Sequence, residues 1–263
     1  MTKQEWIIKC NFLKNLLDSY GITVALMIEI PNFPETKISY VIKQIDDKFK
    51  DDFLDTGSAD YHITLFPIMR SIFVLPEDNK RKELCLEIMH QLKENISDSL
   101  SEKEINVFNK LIKANDISVQ KAEEILQEQW DKISIFTKNK ILLPRGNINL
   151  EKCKFEISSD GFFIVLIEEN IVANLDIDLI AQSLGITYTP KQVFHISLGC
   201  IKSVDGYEYL KNIIKNVQLV KLIIHIKSLG VVAYKHRSLG SIFKKYLIFF
   251  KEGDNDEYGK SRS

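Results

Sequence analysis

The sequence contains few cysteines, and none has the spacing of a redox or zinc motif. The four residues are far apart along the chain: Cys10, Cys85, Cys153 and Cys200. A disulfide scaffold or a zinc finger needs more cysteines at closer spacing. We therefore expect reduced thiols, as in the cytosol, with no structural metal and no disulfide framework.

The sequence also has almost no net charge. Its 35 basic and 36 acidic residues leave a formal charge of -1. A protein with this balance has no overall field that attracts nucleic acid or a membrane surface. Any site for a polyanion must therefore be local.

Long apolar runs are absent as well. The longest ones stop well short of the ~20 residues that span a bilayer. The first five residues are polar and acidic, whereas a signal peptide is basic and then apolar. We expect a soluble, cytoplasmic protein that has no membrane partner.

A chain of 263 residues is long enough for one domain with two lobes. Apolar residues at helical spacing predict helices over 3–19, 35–49, 79–92, 176–184 and 207–216. Runs rich in β-branched residues predict strands over 22–30, 71–75, 150–158, 162–168, 219–232 and 242–250. Residues 159–161 have the composition of a hairpin turn.

The segment 97–136 is charged and helical, and it resembles neither flank. It predicts two helices with a break near 115–118. Because the remaining elements repeat in a similar order on both sides of it, we predict an α+β fold with an internal duplication. The first lobe covers about 20–95, the second about 145–250, and the tail 251–263 is polar and loose.

One short pattern occurs twice, each time in an apolar run that predicts a strand. The copies are Tyr61-His62-Ile63-Thr64-Leu65 and Phe194-His195-Ile196-Ser197-Leu198. Side chains alternate between the two faces of a strand, so each copy presents an imidazole and a hydroxyl on one face. A third His-x-Ser, at 236–238, lacks the apolar flanks and is typical of a loop.

Two imidazoles and two hydroxyls around one cleft are suited to phosphoryl chemistry. Histidine titrates near neutrality, so one ring can act as general base while the other acts as general acid. The hydroxyls can donate to the non-bridging oxygens of a phosphate held between the rings.

On these two motifs the chain resembles the 2H phosphoesterase superfamily. The resemblance implies a duplicated two-lobed fold, with two antiparallel sheets facing a central cleft, outer helices, and here an inserted helical segment. It also implies cleavage of 2′,3′-cyclic phosphates or 2′-5′ phosphodiesters without a metal or cofactor. His62 and His195 would be the catalytic pair, and Thr64 and Ser197 would contact the phosphate. No proline precedes His195, where several bacterial relatives have one.

Four further residues are candidates for substrate binding. Phe66 shares the face of His62 on a regular strand and could stack on a base. Tyr234, Lys235 and Arg237 place an aromatic ring and two cations in the loop 233–241, a combination that suits a base and a phosphate. His90, in a helix, and His225, with no hydroxyl two residues later, are interpreted as structural.

Two other kinds of site are not expected. His195 and Cys200 are five residues apart, so they should face opposite ways on a regular strand and form no metal pair. Ser197 lacks the Gly-x-Ser-x-Gly elbow of a hydrolase nucleophile.

Two non-enzymatic functions remain open. The cleft of a non-catalytic module could capture a nucleotide or RNA end. Segment 97–136 could be the active part of an interaction protein.

The expected substrate is a nucleotide or RNA phosphodiester that involves a 2′ oxygen: a 2′,3′-cyclic phosphate, a 2′-5′ linkage or a cyclic oligonucleotide. The neutral charge favours a small nucleotide or an RNA end over a long duplex, which would need an extended basic track. The sequence leaves three matters open: the oligomeric state, the exact substrate, and which histidine is the acid.

Overall fold

The computed structural model of the chain describes residues 1–57, 61–134, 143–144, 147–159, 161–168, 178, 181–182, 185, 194–219, 221–235, 242–248 and 250–251. Arg237 and the tail 252–263 lie outside the described residues, as does most of the predicted helix 176–184. The described part is α+β, as predicted.

The helices begin at capping residues, which satisfy the free N–H groups of a first turn. Thr2 and Ser101 each form a full capping box, and Thr36, Asp78 and Ser203 each cap one helix. The helices are α1 (Lys3–Leu16), α2 (Lys37–Phe49), α3 (Asn79–Glu94), α4 (Glu102–Ile112), α5 (Val119–Ser134) and α6 (Val204–Asn216). In the part of the chain that the structure describes, none of them is long and apolar enough to cross a membrane.

Within the described residues, nine strands form one antiparallel sheet, and two short strands pair separately. The strands are β1 (Asp18–Glu29), β2 (Phe53–Asp55), β3 (His62–Val74), β4 (Leu143–Pro144), β5 (Asn147–Leu150), β6 (Cys153–Ile157), β7 (Phe162–Ile167), β8 (Phe194–Ile201), β9 (Leu222–Tyr234), β10 (Ile242–Ile248) and β11 (Phe250–Lys251). The main path is β10-β9-β1-β3-β8-β7-β6, with β2 beside β8 and β5 beside β9.

The sheet has a seam where its two halves meet. Strands β3 and β8 pair at one position, Ile63 with Ile196. The resemblance predicts two separate sheets, whereas the two sets of strands here are joined at this single pair. Strand pairing also crosses between the halves of the chain, because β9 and β10 extend the sheet on the β1 side while β2 pairs with β8.

The main core lies on one face of the sheet. Alternate residues of β1 point into it, among them Ile22, Val24 and Leu26. Helices α2, α5 and α6 cover this face with apolar side chains such as Ile45, Leu126 and Leu210. The intervening residues of β1, including Ser19 and Thr23, face a cleft on the opposite side.

A second cluster of buried side chains joins α1, α3 and α4. The ring of Trp6 meets that of Phe108 edge to face at 5.4 Å, and its indole N–H donates to the carbonyl of Leu92. The predicted break in segment 97–136 is confirmed, since α4 ends at Ile112 and α5 begins at Val119. The two helices separate, with α4 in this cluster and α5 on the main core.

Most predicted elements are found with small shifts at their ends. The hairpin is confirmed, because β6 and β7 pair across residues 158–161. The predicted short strand 71–75 is not a separate element. It is the end of β3, which runs unbroken from His62 to Val74.

Candidate active site

The two sequence motifs meet at the seam of the sheet. Antiparallel pairing of Ile63 with Ile196, continued by one residue in each direction, sets His62 opposite Ser197 and Thr64 opposite His195. Each imidazole is therefore beside the hydroxyl of the other motif. The arrangement has a local two-fold symmetry about the Ile63–Ile196 pair.

Both motif strands contain a bulge directly after the motif. On β3 the pairing with β1 moves from Thr64 to Phe66 and leaves Leu65 as the extra residue. On β8 the pairing with β7 moves from Ser197 to Gly199 and leaves Leu198 as the extra residue. A bulge bends its strand and increases the local twist. Two bulges at the same offset account for the divergence of β3 and β8 beyond their single pair.

The divergence opens a cleft of about 650 Å³. His62, Thr64, His195 and Ser197 all line it, and all four are half-buried. A volume of this size is typical of small-ligand sites. The structure thus brings the four predicted residues to one cleft, and the apolar residues between them face the main core.

The two imidazoles lie on either side of the Ile63–Ile196 pair and line the same cleft. Two rings placed in this way can lie on opposite sides of one phosphate group.

Phe66 lies in the main core and not in the cleft. Its side chain is 1% exposed and packs in the same cluster as Leu65. The sequence-based assignment to the face of His62 assumes a regular strand, and the bulge at Leu65 reverses the alternation. The structure therefore gives Phe66 a packing role.

Tyr234, a predicted substrate-binding residue, lines the cleft. Its Oη is 2.9 Å from Oγ of Ser71, which fixes the ring across β1. The ring passes over Gly21, where a Cβ atom would lie 2.7 Å from Cζ of Tyr234. A residue with a side chain at position 21 would displace the tyrosine.

Lys235 does not line the described cleft with Tyr234. It follows the last residue of β9 and forms an ion pair with Glu123 of α5. Arg237, the other predicted cation, lies outside the described residues.

Asp55 is a cleft residue that the sequence analysis missed. It ends β2 opposite Gly199, and its Oδ1 accepts a hydrogen bond of 3.0 Å from the N–H of Gly57. Burial raises the pKa of this carboxyl, while the hydrogen bonds from Gly57 and Thr56 oppose the shift. The Asp-Thr-Gly turn was visible in the sequence, but nothing there placed it beside the second motif.

Arg81 and Lys14 also line the cleft, and the sequence analysis missed both. Arg81 is in the first turn of α3 and Lys14 is in the last turn of α1. Nη2 of Arg81 forms an ion pair with the buried carboxylate of Asp18. No local pattern marks these residues, because they meet only when α1 and α3 pack on the sheet.

A regular strand would place Cys200 on the face opposite His195, but the bulge at Leu198 changes the alternation, so this prediction is wrong. Cys200 faces α1, and its Sγ receives hydrogen bonds from the amides of Asn11 at 3.7 Å and Asn15 at 3.4 Å. Among the described residues, no group of three or more His, Cys, Asp or Glu side chains could hold a metal ion. His90 lies on the surface of α3, with its side chain 71% exposed.

Comparisons with protein-family models, with curated proteins and with solved structures gave no match to this chain.

Proposed function

We propose that this protein is a phosphodiesterase of the 2H type, which hydrolyses a phosphodiester that involves a 2′ oxygen of a nucleotide or RNA. The observation that supports the proposal most strongly is the symmetric seam. It sets His62 beside Ser197 and His195 beside Thr64 in one cleft. Acid–base hydrolysis of a phosphodiester uses these groups in this arrangement.

In the proposed reaction the two imidazoles act on opposite sides of phosphorus. The neutral ring accepts a proton from water as the water oxygen bonds to phosphorus. The protonated ring donates its proton to the sugar oxygen as the bond between that oxygen and phosphorus breaks. The proton count balances over the cycle, because one imidazole gains a proton and the other loses one.

The hydroxyls of Thr64 and Ser197 have a different part in this mechanism. Each donates a hydrogen bond to a non-bridging oxygen, where negative charge increases in the transition state. The bulges that follow both residues hold the strands apart, so that the phosphate can enter between them. The apolar residues on the other face keep the motif strands fixed in the core.

The proposal is tested by replacing each histidine in turn. We expect His62→Ala and His195→Ala each to lower kcat/KM for a 2′,3′-cyclic or 2′-5′-linked nucleotide by about 10²- to 10⁴-fold, the size of a lost proton transfer. The wild-type rate should be bell-shaped in pH, because one ring must be neutral and the other protonated. Product masses from a panel of such nucleotides identify the bond that is cleaved.

His90→Ala is the matched control, because His90 is an exposed histidine outside the cleft. It should leave both the rate and the fold unchanged. Rates near the wild-type value in both cleft variants would contradict the proposal. Binding of the nucleotides without any product would favour the non-catalytic module instead.

A further inference from the structure

The cleft continues well beyond the two motifs. Thr64 pairs with Ala25 of β1, whereas the far end of the cleft is lined by Asp18, which pairs with Val74. The part of β1 from Asp18 to Ala25 is about 20 Å long at a rise of ~3.3 Å per residue. A ligand that occupies both ends must therefore be longer than one nucleotide.

The far end contains Arg81, whose side chain is held in place by an ion pair with the buried carboxylate of Asp18. The side chain of Asp18 is 6% exposed, and that of Arg81, its ion-pair partner, is 40% exposed. A guanidinium has five N–H donors, and a carboxylate on one edge leaves the others for a ligand. Nε of Arg81 is a buried atom, so a ligand can meet the guanidinium through its exposed part. Asp18 therefore fixes the guanidinium of Arg81 at the cleft and leaves some of the N–H donors of Arg81 for a ligand.

Lys14 adds a second cation at the same end. It belongs to α1, whose C-terminal turn leads directly into β1, and it lines the cleft with Arg81. Both basic side chains reach this end of the cleft, where the carboxylate of Asp18 is buried beneath Arg81. Arginine with lysine is a combination that binds phosphate through charge-assisted hydrogen bonds.

We propose that the end of the cleft formed by Arg81 and Lys14 binds a second phosphate group of the substrate. This inference rests on the proposed function and narrows it. The substrate is then a linear oligonucleotide with a phosphate about 20 Å of strand length from the scissile one, and not a cyclic mononucleotide. That phosphate is either an internal phosphodiester or a terminal 5′-phosphate.

The experiment compares substrates of different length in matched variants. The substrates are a 2′,3′-cyclic mononucleotide and a 2′-5′-linked pentanucleotide with and without a 5′-phosphate. The pentanucleotide is long enough to place two phosphates at the two ends of the cleft. We expect Lys14→Gln to lower kcat/KM for the pentanucleotide about tenfold more than for the mononucleotide, the size of one lost hydrogen bond to a charged group. An effect confined to the 5′-phosphorylated pentanucleotide identifies the terminal phosphate, and an equal effect on both identifies an internal one.

Lys9→Gln is the control for this variant. Lys9 is a half-buried lysine of the same helix, and it donates to Oε1 of Gln91 outside the cleft. It should leave the ratio of the two kcat/KM values at the wild-type level. If Lys14→Gln also leaves that ratio unchanged, the inference is wrong.

Arg81 needs a paired replacement, because its removal alone leaves the buried charge of Asp18 without its partner. The double variant Asp18→Asn with Arg81→Gln removes both charges together. It should lower the ratio of kcat/KM for the pentanucleotide to that for the mononucleotide at least as much as Lys14→Gln does. If the double variant does not fold, the comparison of Lys14→Gln with its control Lys9→Gln still tests the inference.

A failure of the proposed function is distinguishable from a failure of this inference. If the wild-type protein cleaves none of the substrates, the proposed function is wrong, and calorimetric binding of the 5′-phosphorylated pentanucleotide tests the second site directly. Lys14→Gln should then weaken binding about tenfold. It should also reduce the slope of log K against log salt by about 0.7, the value for one phosphate contact on a single strand. Equal affinity in both proteins would overturn the inference.

Discussion

The two motif strands have the same features on the cleft side and different ones on the core side. Both place an imidazole and a hydroxyl at the seam, and both contain a bulge at the third residue after the histidine, Leu65 or Leu198. The flanking strands differ, since β3 pairs with β1 and β8 pairs with β7. The features that the copies share are thus the ones that shape the cleft.

The core-side positions differ because each meets a different neighbour. The residue before the histidine is Tyr61 in the first copy and Phe194 in the second, and both are buried. The fourth residue after it is Phe66 in one and Gly199 in the other. Phe66 fills the core, whereas Gly199 leaves room for the ring of Phe53. The comparison separates the residues that both motifs place at the cleft from residues whose identity follows their packing neighbours.

The first prediction concerns the shared side of this comparison and has the largest effect. If His62 and His195 act in one transition state, the double variant His62→Ala with His195→Ala should be about as slow as the slower single variant, some 10²- to 10⁴-fold below wild type. The measurement is the rate of product formation at saturating substrate. A loss equal to the product of the two single losses would show that the histidines act independently.

The second prediction concerns the fourth residue after each histidine. Phe66→Ala should lower the free energy of unfolding by about 3–5 kcal/mol, because it empties a fully buried aromatic site. The measurement is chemical denaturation, with kcat/KM of the folded fraction recorded alongside. Phe66→Leu is the milder variant, and it should cost less than about 1.5 kcal/mol. A loss of kcat/KM in Phe66→Leu with no loss of stability would show that Phe66 contributes to substrate binding after all.

Gly199→Ala tests the corresponding position of the second motif. A Cβ atom there would lie 2.7 Å from the carbonyl oxygen of Leu54, and it would also overlap the ring of Phe53. We expect a loss of about 1–3 kcal/mol in the free energy of unfolding, as for an overpacked core. If Gly199→Ala leaves the free energy of unfolding unchanged, β2 can move away from β8 without destabilising the protein.

The sequence predicts which face of each motif strand carries the imidazole and the hydroxyl, because strand alternation is local, but it does not predict that the two strands pair. Strand alternation keeps His62 and Thr64 on one face over three residues, and the same holds for His195 and Ser197. The position of Phe66 was not predictable, because a buried leucine in the bulge only continues the apolar run. The second site, at Arg81 and Lys14, was not predictable either, since its residues meet through the packing of α1 and α3.

The third prediction has the smallest effect and concerns the residue before each histidine. The hydroxyl of Tyr61 is buried and, among the described residues, has no hydrogen-bond partner. A buried polar group without a partner costs about 1–3 kcal/mol. Tyr61→Phe, which gives the first motif the residue of the second, should therefore raise the free energy of unfolding by about 1 kcal/mol. Tyr40→Phe, at an exposed position of α2, is the control and should change nothing.

The same variant should alter the stability of the protein at alkaline pH. Burial raises the pKa of Tyr61 above its ordinary value. The unfolded chain therefore releases this proton first, and the wild-type protein loses stability as the pH rises above about 10. Tyr61→Phe lacks this loss, so its advantage over wild type should widen in denaturation curves recorded from neutral to alkaline pH. A variant less stable than wild type at neutral pH would mean that the hydroxyl has a partner in the folded protein. The first motif would then have Tyr61 where the second has Phe194 because the hydroxyl forms a stabilising hydrogen bond, and not because the core tolerates an unpaired hydroxyl.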